Sequence, residues 1–304
     1  MQYPLISEYV KSILDSHDNL DQLSHLEPIL DSHNEPLHSS GAFAVVFKMV
    51  NPSTGKHYAL KCFTEEQKGR QDSYDKIAEE LELQDSSYLI SVKYYEDEIF
   101  VDSSCTSENE FPVLLMDWVD GMTMDTYIAQ NYKKESEMKW LTYRFCELAA
   151  WLHSQVFAHG DIKPDNIMVK SDGRLTLIDY DGMYVPSIKG QKSPTLGSKD
   201  LSHPLRNADD FNETIDDFSL AAISLSLKAI CLNADLYDQY KTADGLLLNM
   251  KDYRNLGASP SLHAIEKYLS DPELCQLFGN FMLSYAQKDL SLHSFRNFVI
   301  SRPS

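Results

Sequence analysis

Residues 159–182 constrain the fold of this chain more than any other stretch. They read HGDIKPDNIMVKSDGRLTLIDYDG, in which two polar clusters are joined by an apolar run, a Ser-Asp-Gly turn and a second apolar run. Asp161, Asn166 and Asp179 stand just outside the strand-forming runs, where loops present side chains on a rigid support. Asn and Asp oxygens hold hard cations, and the remaining carboxylate can accept the proton of an attacking hydroxyl. The pattern predicts magnesium-dependent phosphoryl transfer.

Length and charge limit the other possibilities. The 304 residues are 43% hydrophobic and 24% charged, which suits one large or two small domains with a substantial core. A net charge of −19 opposes nucleic acid or an anionic membrane as a general partner. No apolar run approaches the roughly 20 residues of a membrane span, and the N-terminus shows no signal-peptide pattern.

The cysteines indicate a reducing compartment. There are five of them, widely scattered and without CxxC spacing: Cys62, Cys105, Cys146, Cys231 and Cys275. This usage predicts a cytoplasmic protein and opposes both a disulfide framework and a zinc site.

Residues 1–36 are predicted to form an acidic helical extension. Apolar residues recur at spacings of three and four from Leu5 to Leu14, and Leu20, Leu23, Leu26 and Leu30 continue the pattern. We expect this extension to pack against its own domain. A helix that docks a partner is the alternative.

From Leu37 the pattern changes to strands. A hairpin is predicted over residues 37–63 around the turn NPSTGK, followed by a helix over 73–84 and strands over 88–101 and 111–119. Apolar residues at helical spacing predict a long helix over 135–155, and the rest of the chain to Ser304 is predicted to be mainly helical.

These motifs, in this order, resemble those of the protein kinases. Asp161-x-x-x-x-Asn166 has the spacing of that family's catalytic loop, and DYDG resembles its metal-binding DFG motif. The resemblance implies an α+β bilobal fold, with a small antiparallel β-sheet N-lobe and a mostly helical C-lobe. It places an N-terminal extension at 1–36, the N-lobe at 37–119 and the C-lobe at 120–304, with ATP in the cleft between the lobes.

The same resemblance assigns the catalytic residues. Asp161 would be the general base, and Lys163 matches the lysine that serine/threonine kinases keep near the transferred phosphoryl group. Asn166 and Asp179 would hold Mg²⁺. Because small-molecule kinases of the related fold more often carry other residues at the position of Lys163, this lysine favours protein substrates.

Nucleotide-binding residues follow from the resemblance as well. Only Gly41 remains of the three glycines of the phosphate-covering loop, and Lys61 would contact the α- and β-phosphates. Either Glu79 or Glu80 would pair with Lys61. The residues implied around adenine are Val46, Ala59, the gatekeeper Met116, Met168 beneath the base, and the backbone of Asp117 and Val119.

Several positions depart from the family pattern. Gly160 replaces an arginine that would pair with a phosphorylated activation loop, so control by that route is not expected. Asp181 within DYDG is either a second metal ligand or a turn residue, and the segment 183–206 ends in SHPLR instead of APE. Asp217 is expected to brace the catalytic loop. The DYDGMYVP and HPLR variants resemble a bacterial branch of kinase-like proteins.

The leading hypothesis is therefore an ATP- and Mg²⁺-dependent phosphotransferase acting on serine or threonine hydroxyls of proteins. The degraded glycine loop leaves a second hypothesis, a pseudokinase that binds nucleotide or scaffolds a protein partner. A kinase of a small metabolite is the third.

Overall fold

The computed structural model describes residues 2–243, 246–289 and 298–304, which form two compact units. The strand-rich unit contains the chain up to Asp85 together with Ile90–Val119, and the helical unit contains Ser86–Leu89 together with the chain from Asp120 onward. The predicted α+β organisation, a small antiparallel sheet and a larger mostly helical part, is confirmed.

One antiparallel sheet forms the strand-rich unit. Its strands are β1 (Glu27–Pro28), β2 (His38–Ser40), β3 (Ala44–Val50), β4 (His57–Phe63), β5 (Val92–Phe100) and β6 (Glu110–Asp117). They lie in the order β1-β3-β4-β6-β5, and β2 pairs with residues 45–47 of β3. The predicted hairpin is therefore confirmed as β3 and β4, which are rich in the β-branched and aromatic residues that suit a pleated surface.

The first residues of the chain cover one face of this sheet. Helix α1 (Ile6–Leu14) is amphipathic, and Tyr9 and Ile13 on its inner side are completely buried. They join the leucines of residues 20–26 and the inward-facing residues of the sheet in a single apolar core. The prediction that this segment packs against its own domain is confirmed.

The helical prediction for the second half of residues 1–36 is wrong. After the short helix α2 (Ser16–Asn19) the chain makes turns, and Leu20 forms an isolated bridge with Ile99 at the edge of β5. The buried carboxylate of Glu98 accepts the backbone N–H groups of Gln22 (3.3 Å) and Leu23 (2.7 Å). Because turns can also repeat every three residues, the leucine spacing is shared by this coil and by a helix.

Helix α3 (Arg70–Glu82) follows β4, starting three residues before the predicted helix. The helical unit then contains the strands β7 (Met122–Thr123), β8 (Ile167–Val169) and β9 (Leu175–Leu177) and the helices α4 (Met124–Asn131), α5 (Glu135–His153), α6 (Asp217–Leu232), α7 (Asp235–Tyr240), α8 (Met250–Arg254), α9 (Pro260–Glu266) and α10 (Pro272–Gln287). Short 3-10 helices lie at Pro164–Asn166, Pro186–Ile188 and Leu256–Ala258. The helical prediction for residues 290–297 lies outside the described residues.

Helix α6 is the centre of the helical unit. Nearly all of its residues are buried, and α5 and α10 pack against it. Two of its buried serines are hydrogen-bonded, as buried polar groups generally are: Ser219 donates to the carbonyl oxygen of Leu201 at 2.6 Å, and Ser224 donates to that of Ala221 at 3.1 Å. The Ser219 bond fixes the residue that precedes SHPLR against the core. Among the described helices, none is long and apolar enough to cross a membrane.

Candidate active site

The β8–β9 hairpin positions the two predicted metal ligands. Asn166 immediately precedes β8, and its carbonyl oxygen accepts the N–H of Ile178, which follows β9, at 3.0 Å. Ile178 in turn is held by His159, whose Nε2 lies 2.8 Å from the Ile178 carbonyl oxygen. Since Asp179 is the next residue, the hairpin brings its backbone beside that of Asn166.

Asp161 is oriented from three directions. Its Oδ1 accepts the backbone N–H of Ser198 at 3.0 Å, and its Oδ2 accepts the side-chain amide of Asn166 at 3.2 Å. The Lys163 ammonium lies 3.4 Å from the same Oδ2. The carboxylate is 18% exposed, so it is fixed in place and still accessible to a hydroxyl. These are the properties that a general base requires.

The donor set fits a magnesium ion. The amide nitrogen of Asn166 also donates to the Asp161 carbonyl oxygen at 2.8 Å, so both bonds to Asp161 use this nitrogen and Oδ1 could hold a metal ion. Asp179 adopts a left-handed backbone conformation (φ 65°), which is uncommon for a residue other than glycine and often marks a functional position. Within the described ranges, no cluster of three or more His, Cys, Asp or Glu side chains forms a metal cage. One amide and one carboxylate suit Mg²⁺, which usually keeps waters and substrate phosphates as its other ligands.

Asp216, and not the predicted Asp217, braces the catalytic loop. The carboxylate of Asp216 accepts the backbone N–H groups of His159 (2.5 Å) and Gly160 (2.8 Å). Burial raises the pKa of Asp216, while these contacts act in the opposite direction. Asp217 is the first residue of α6 and lies 3.0 Å from Nδ1 of His153 on α5. The prediction was one residue off because the bracing residue caps the helix and does not belong to it.

The structure explains the glycine at position 160. Gly160 has φ 86°, and a Cβ atom built there would overlap the carbonyl oxygen of Gly182. No side chain of any kind fits between these two backbones. Asp181 and Gly182 form a turn closed by the Met183 N–H bond to the Tyr180 carbonyl oxygen at 3.1 Å, and the choice between a metal ligand and a simple turn residue at Asp181 stays a prediction.

Two further residues of the site come from the segment 193–206. Ser198 supplies the N–H group on Asp161, and the Arg206 guanidinium donates to the carbonyl oxygen of Gly160 at 3.0 Å. The sequence signalled only that this segment ends unusually, in SHPLR. Neither contact has a local pattern, because each joins residues more than 35 positions apart.

Four of the predicted nucleotide-binding residues in the strand-rich unit share one sheet face: Val46, Ala59, Lys61 and Met116. Val46 is paired with Lys61 across β3 and β4, and Ala59 is paired with Met116 across β4 and β6. Because side chains alternate along a strand, Ala59 and Lys61 lie on the same side, opposite to Leu60 and Cys62 of the apolar core. Lys61 is only 6% exposed.

The end of β6 presents backbone groups. The Asp117 carboxylate is bound by Lys56 (2.7 Å) and Ser91 (2.7 Å), and these bonds outweigh burial and lower its pKa. Its N–H donates to the Ser91 carbonyl oxygen at 3.3 Å. Val119 follows two residues later, where the described chain gives its N–H no acceptor.

The remaining predicted positions lie in regular structure. Gly41 bonds the carbonyl oxygen of Ala44 at 2.9 Å in the β2–β3 turn, and a Cβ atom would fit there, so packing alone does not demand glycine. Met168 is the central residue of β8. Glu80 accepts a bond from Gln84 and Glu79 is exposed, and the choice of either as the partner of Lys61 stays a prediction.

Comparison with known proteins agrees with this geometry. Residues 38–235, more than half of the chain, match the protein kinase domain family. The serine/threonine-protein kinase cds1 of Schizosaccharomyces pombe is 31% identical over 153 residues, which are 49% of this chain and 33% of that protein. The serine/threonine-protein kinase CBK1 of Pneumocystis carinii is 27% identical over 154 residues, 49% of this chain and 28% of that protein.

A third relative, the maternal embryonic leucine zipper kinase of Xenopus tropicalis, is 26% identical over 142 residues, 46% of this chain and 20% of that protein. The chain thus spans a third or less of the length of these curated relatives. All three relatives are eukaryotic, and the bacterial branch suggested by DYDGMYVP and HPLR stays a prediction.

Proposed function

The chain belongs to the protein kinase domain family, and from that premise we propose that it is an ATP- and Mg²⁺-dependent phosphotransferase acting on serine or threonine hydroxyls of proteins. One observation carries the proposal. The Asp161 carboxylate is held at once by Asn166, Lys163 and the backbone of Ser198, so the general base, a metal ligand and a phosphate-side cation converge on one loop.

In the proposed reaction, Asp161 accepts the proton of the substrate hydroxyl as its oxygen forms a bond to the γ-phosphorus of ATP. The bond between that phosphorus and the bridging β–γ oxygen breaks, and the electron pair leaves with ADP. Lys163, within 3.4 Å of Asp161, offsets negative charge on the transferred group. Fixing the base in this way contributes orientation as well as proton transfer.

Other residues of this chain bind the nucleotide. Lys61, buried on the sheet face with Val46, Ala59 and Met116, supplies a cation for the α- and β-phosphates. Asn166 and Asp179 would hold Mg²⁺, which would supply positive charge to offset the phosphates. The carbonyl group of Asp117 accepts from the exocyclic amine of adenine, and the N–H of Val119 donates to its ring.

The substrate class rests on Lys163 and on charge. Lys163 occupies the position where serine/threonine kinases keep this lysine, and serine/threonine kinases are among the relatives. A net charge of −19 disfavours nucleic acid and anionic membranes as partners. We also propose a cytoplasmic location, on the basis of the five scattered cysteines.

The test is transfer of the γ-phosphate from MgATP to a library of serine- and threonine-containing peptides, with MgATP affinity measured separately. Asp161→Asn is expected to lower transfer by about 10²- to 10⁴-fold and to leave MgATP binding intact. Asp172→Asn makes the same change of charge at an exposed turn residue, 48% exposed and paired with Arg174, and should behave like the wild type.

Undiminished transfer by Asp161→Asn would overturn the assignment of the base. If the wild type binds MgATP but transfers phosphate to no acceptor, including the small metabolites tested beside the peptides, the pseudokinase hypothesis takes its place.

A further inference from the structure

Segment 193–206 contains a buried guanidinium with a specific set of acceptors. Nη1 of Arg206 donates to the carbonyl oxygen of Gly160, and Nη2 lies 3.3 Å from the Ser193 hydroxyl and 3.2 Å from the Thr195 carbonyl oxygen. Its Nε is buried and donates to no group of the described chain. Burial lowers the pKa of Arg206, against the attraction of three carboxylates, those of Asp216, Asp161 and Asp210.

The acceptors of Arg206 are all uncharged, and they belong to two different stretches of chain. One acceptor belongs to Gly160, the residue before Asp161. The other two belong to Ser193 and Thr195, which lie shortly before Ser198. The same guanidinium therefore connects the catalytic loop to the segment that supplies an N–H group to Asp161. A planar fork of donors is suited to such a task, because its direction is fixed once two bonds have formed.

The catalytic loop before Asp161 is held on both sides. Asp216 accepts the N–H of Gly160, and Arg206 donates to its carbonyl group. Because a Cβ atom at position 160 would overlap Gly182, no side chain at that position can reach toward the segment. The cation that connects the two comes from the segment instead.

Gly197 shows how tightly the parts meet. It has φ 70°, and a Cβ atom built there would lie 3.2 Å from both Arg206 Nη1 and Asp161 Oδ1 and 2.8 Å from the Ser202 hydroxyl. Arg206 and Asp161 thus approach the same point from two sides. The N–H of Gly197 is itself bound by the Thr195 hydroxyl at 3.1 Å, so residues 195–198 form a continuous hydrogen-bonded path from Arg206 to Asp161.

We propose that Arg206 is a positioning residue, which holds residues 193–198 against the catalytic loop so that the Ser198 N–H orients Asp161 without any phosphorylated side chain. This inference rests on the proposed phosphotransferase function and names how its active site is assembled. The acceptors of the Arg206 guanidinium are carbonyl and hydroxyl groups already present in the unmodified chain. Treatment with a phosphatase should therefore leave the activity of the wild type unchanged.

The first experiment compares Arg206→Lys and Arg206→Ala with the wild type. A lysine keeps the charge but loses the fork, so both variants should lose kcat by about 10²-fold, as expected when a catalytic group is misplaced by about 1 Å. KM for MgATP should stay within about twofold, because no nucleotide-binding residue is changed. Added guanidinium ion, well below denaturing concentrations, should restore part of kcat to Arg206→Ala and none to Arg206→Lys, whose side chain fills the site.

Substitutions of two glycines separate the effect of the contact between Arg206 and Asp161 from the effect of backbone strain. Gly197→Ala places a methyl group between Arg206 and Asp161, whereas Gly190→Ala changes a glycine with φ 89° that has nothing within 4 Å. Both substitutions strain the backbone, but only Gly197→Ala should lower kcat. Equal losses of kcat in the two variants would contradict a specific role for the contact.

An activity-independent measurement keeps this inference distinct from the proposed function. Hydrogen exchange at the Ser198 amide should be slow in the wild type and fast in Arg206→Lys, while amides of β3 and β4 are unchanged. If the wild type proves inactive and the Ser198 amide still loses protection in the variant, the proposed function fails and the positioning role stands. A Ser198 amide that stays protected in Arg206→Lys, or a kcat abolished by phosphatase treatment, would overturn the inference.

Discussion

Two segments of the chain carry no catalytic motif themselves but contact an element that carries one. They are the first 26 residues and residues 193–206, and their contacts are of different physical kinds. Tyr9, Ile13 and the leucines of residues 20–26 bury hydrocarbon against the sheet that bears Lys61. Residues 193–206 reach Asp161 through hydrogen bonds around the guanidinium of Arg206.

The difference separates stability from alignment. Apolar burial is non-directional and roughly proportional to area, so it stabilises a unit without fixing any one atom to a fraction of an ångström. Hydrogen bonds from a planar guanidinium are directional and contribute less to stability than to geometry. We expect changes in the first segment to affect unfolding mainly, and changes in the second to affect kcat mainly.

The largest effect on stability and on transfer should come from adding a methyl group at Gly160, where the catalytic loop lies against Gly182. Gly160→Ala adds a methyl group that overlaps the Gly182 carbonyl oxygen, in addition to strain at φ 86°. It should lower the free energy of unfolding by about 3–5 kcal/mol and abolish transfer, because the Gly160 backbone cannot move away without breaking its N–H bond to Asp216.

Gly190→Ala is the matched control for that prediction, since it carries the strain without the overlap. It should cost about 1–2 kcal/mol and leave transfer intact. Denaturant titration of both variants gives the comparison, and similar losses for the two would show that the contact with Gly182 is not restrictive.

A core substitution tests the apolar segment. Ile13 is fully buried, so Ile13→Ala should lower the free energy of unfolding of the strand-rich unit by about 2–4 kcal/mol. Its neighbour Leu14 is 44% exposed, and Leu14→Ala should change it by less than about 0.5 kcal/mol. Hydrogen exchange of the amides in β3–β6 reports this unit alone, and equal protection in both variants would mean that residues 1–14 contribute nothing to it.

The smallest effects are two pH dependences of opposite sign. Burial raises the pKa of Glu98 above its usual 4.5, so its stabilising contribution is complete below 4.5 and is lost as the pH rises through the folded-state pKa. Burial lowers the pKa of His203 below its usual 6.5, so its contribution is complete above 6.5 and is lost as the pH falls through the folded-state pKa.

Each slope is at most about 1.4 kcal/mol per pH unit and should disappear in Glu98→Gln and His203→Gln, respectively. Exchange of amides near Leu23 follows the first group, and exchange near Tyr285, whose carbonyl oxygen lies 2.8 Å from His203 Nε2, follows the second. Slopes of the same sign at the two places would contradict the assignments.

The sequence was sufficient wherever a residue's position depends on a local motif. The hairpin of β3 and β4, the helix α5, the β8–β9 hairpin and the placement of Asp161, Lys163 and Asn166 in one loop were all predictable, because hydrophobic period and motif order act over short stretches. The placement of Val46, Ala59, Lys61 and Met116 on one sheet face follows from the alternation of side chains along each strand.

What was missed depends on contacts between distant residues. Asp217 was predicted in the place of Asp216, since only the tertiary structure shows which of two adjacent carboxylates faces the catalytic loop. The coil at residues 20–26 was predicted as a helix. In the structure the carboxylate of Glu98, more than 70 residues away, accepts two of its N–H groups, and no local pattern reveals this contact. Arg206 and Ser198 lie in no local pattern that could have identified them.

The most direct test of the separation between stability and alignment is to measure kcat and the unfolding transition of Ile13→Ala and Arg206→Lys in the same buffer, at a temperature where both are folded. We expect Ile13→Ala to unfold far more easily than the wild type and to keep a kcat close to that of the wild type. Arg206→Lys should unfold nearly as the wild type does and lose about 10²-fold in kcat. If kcat and stability fall in parallel in both variants, the distinction between the two segments is wrong.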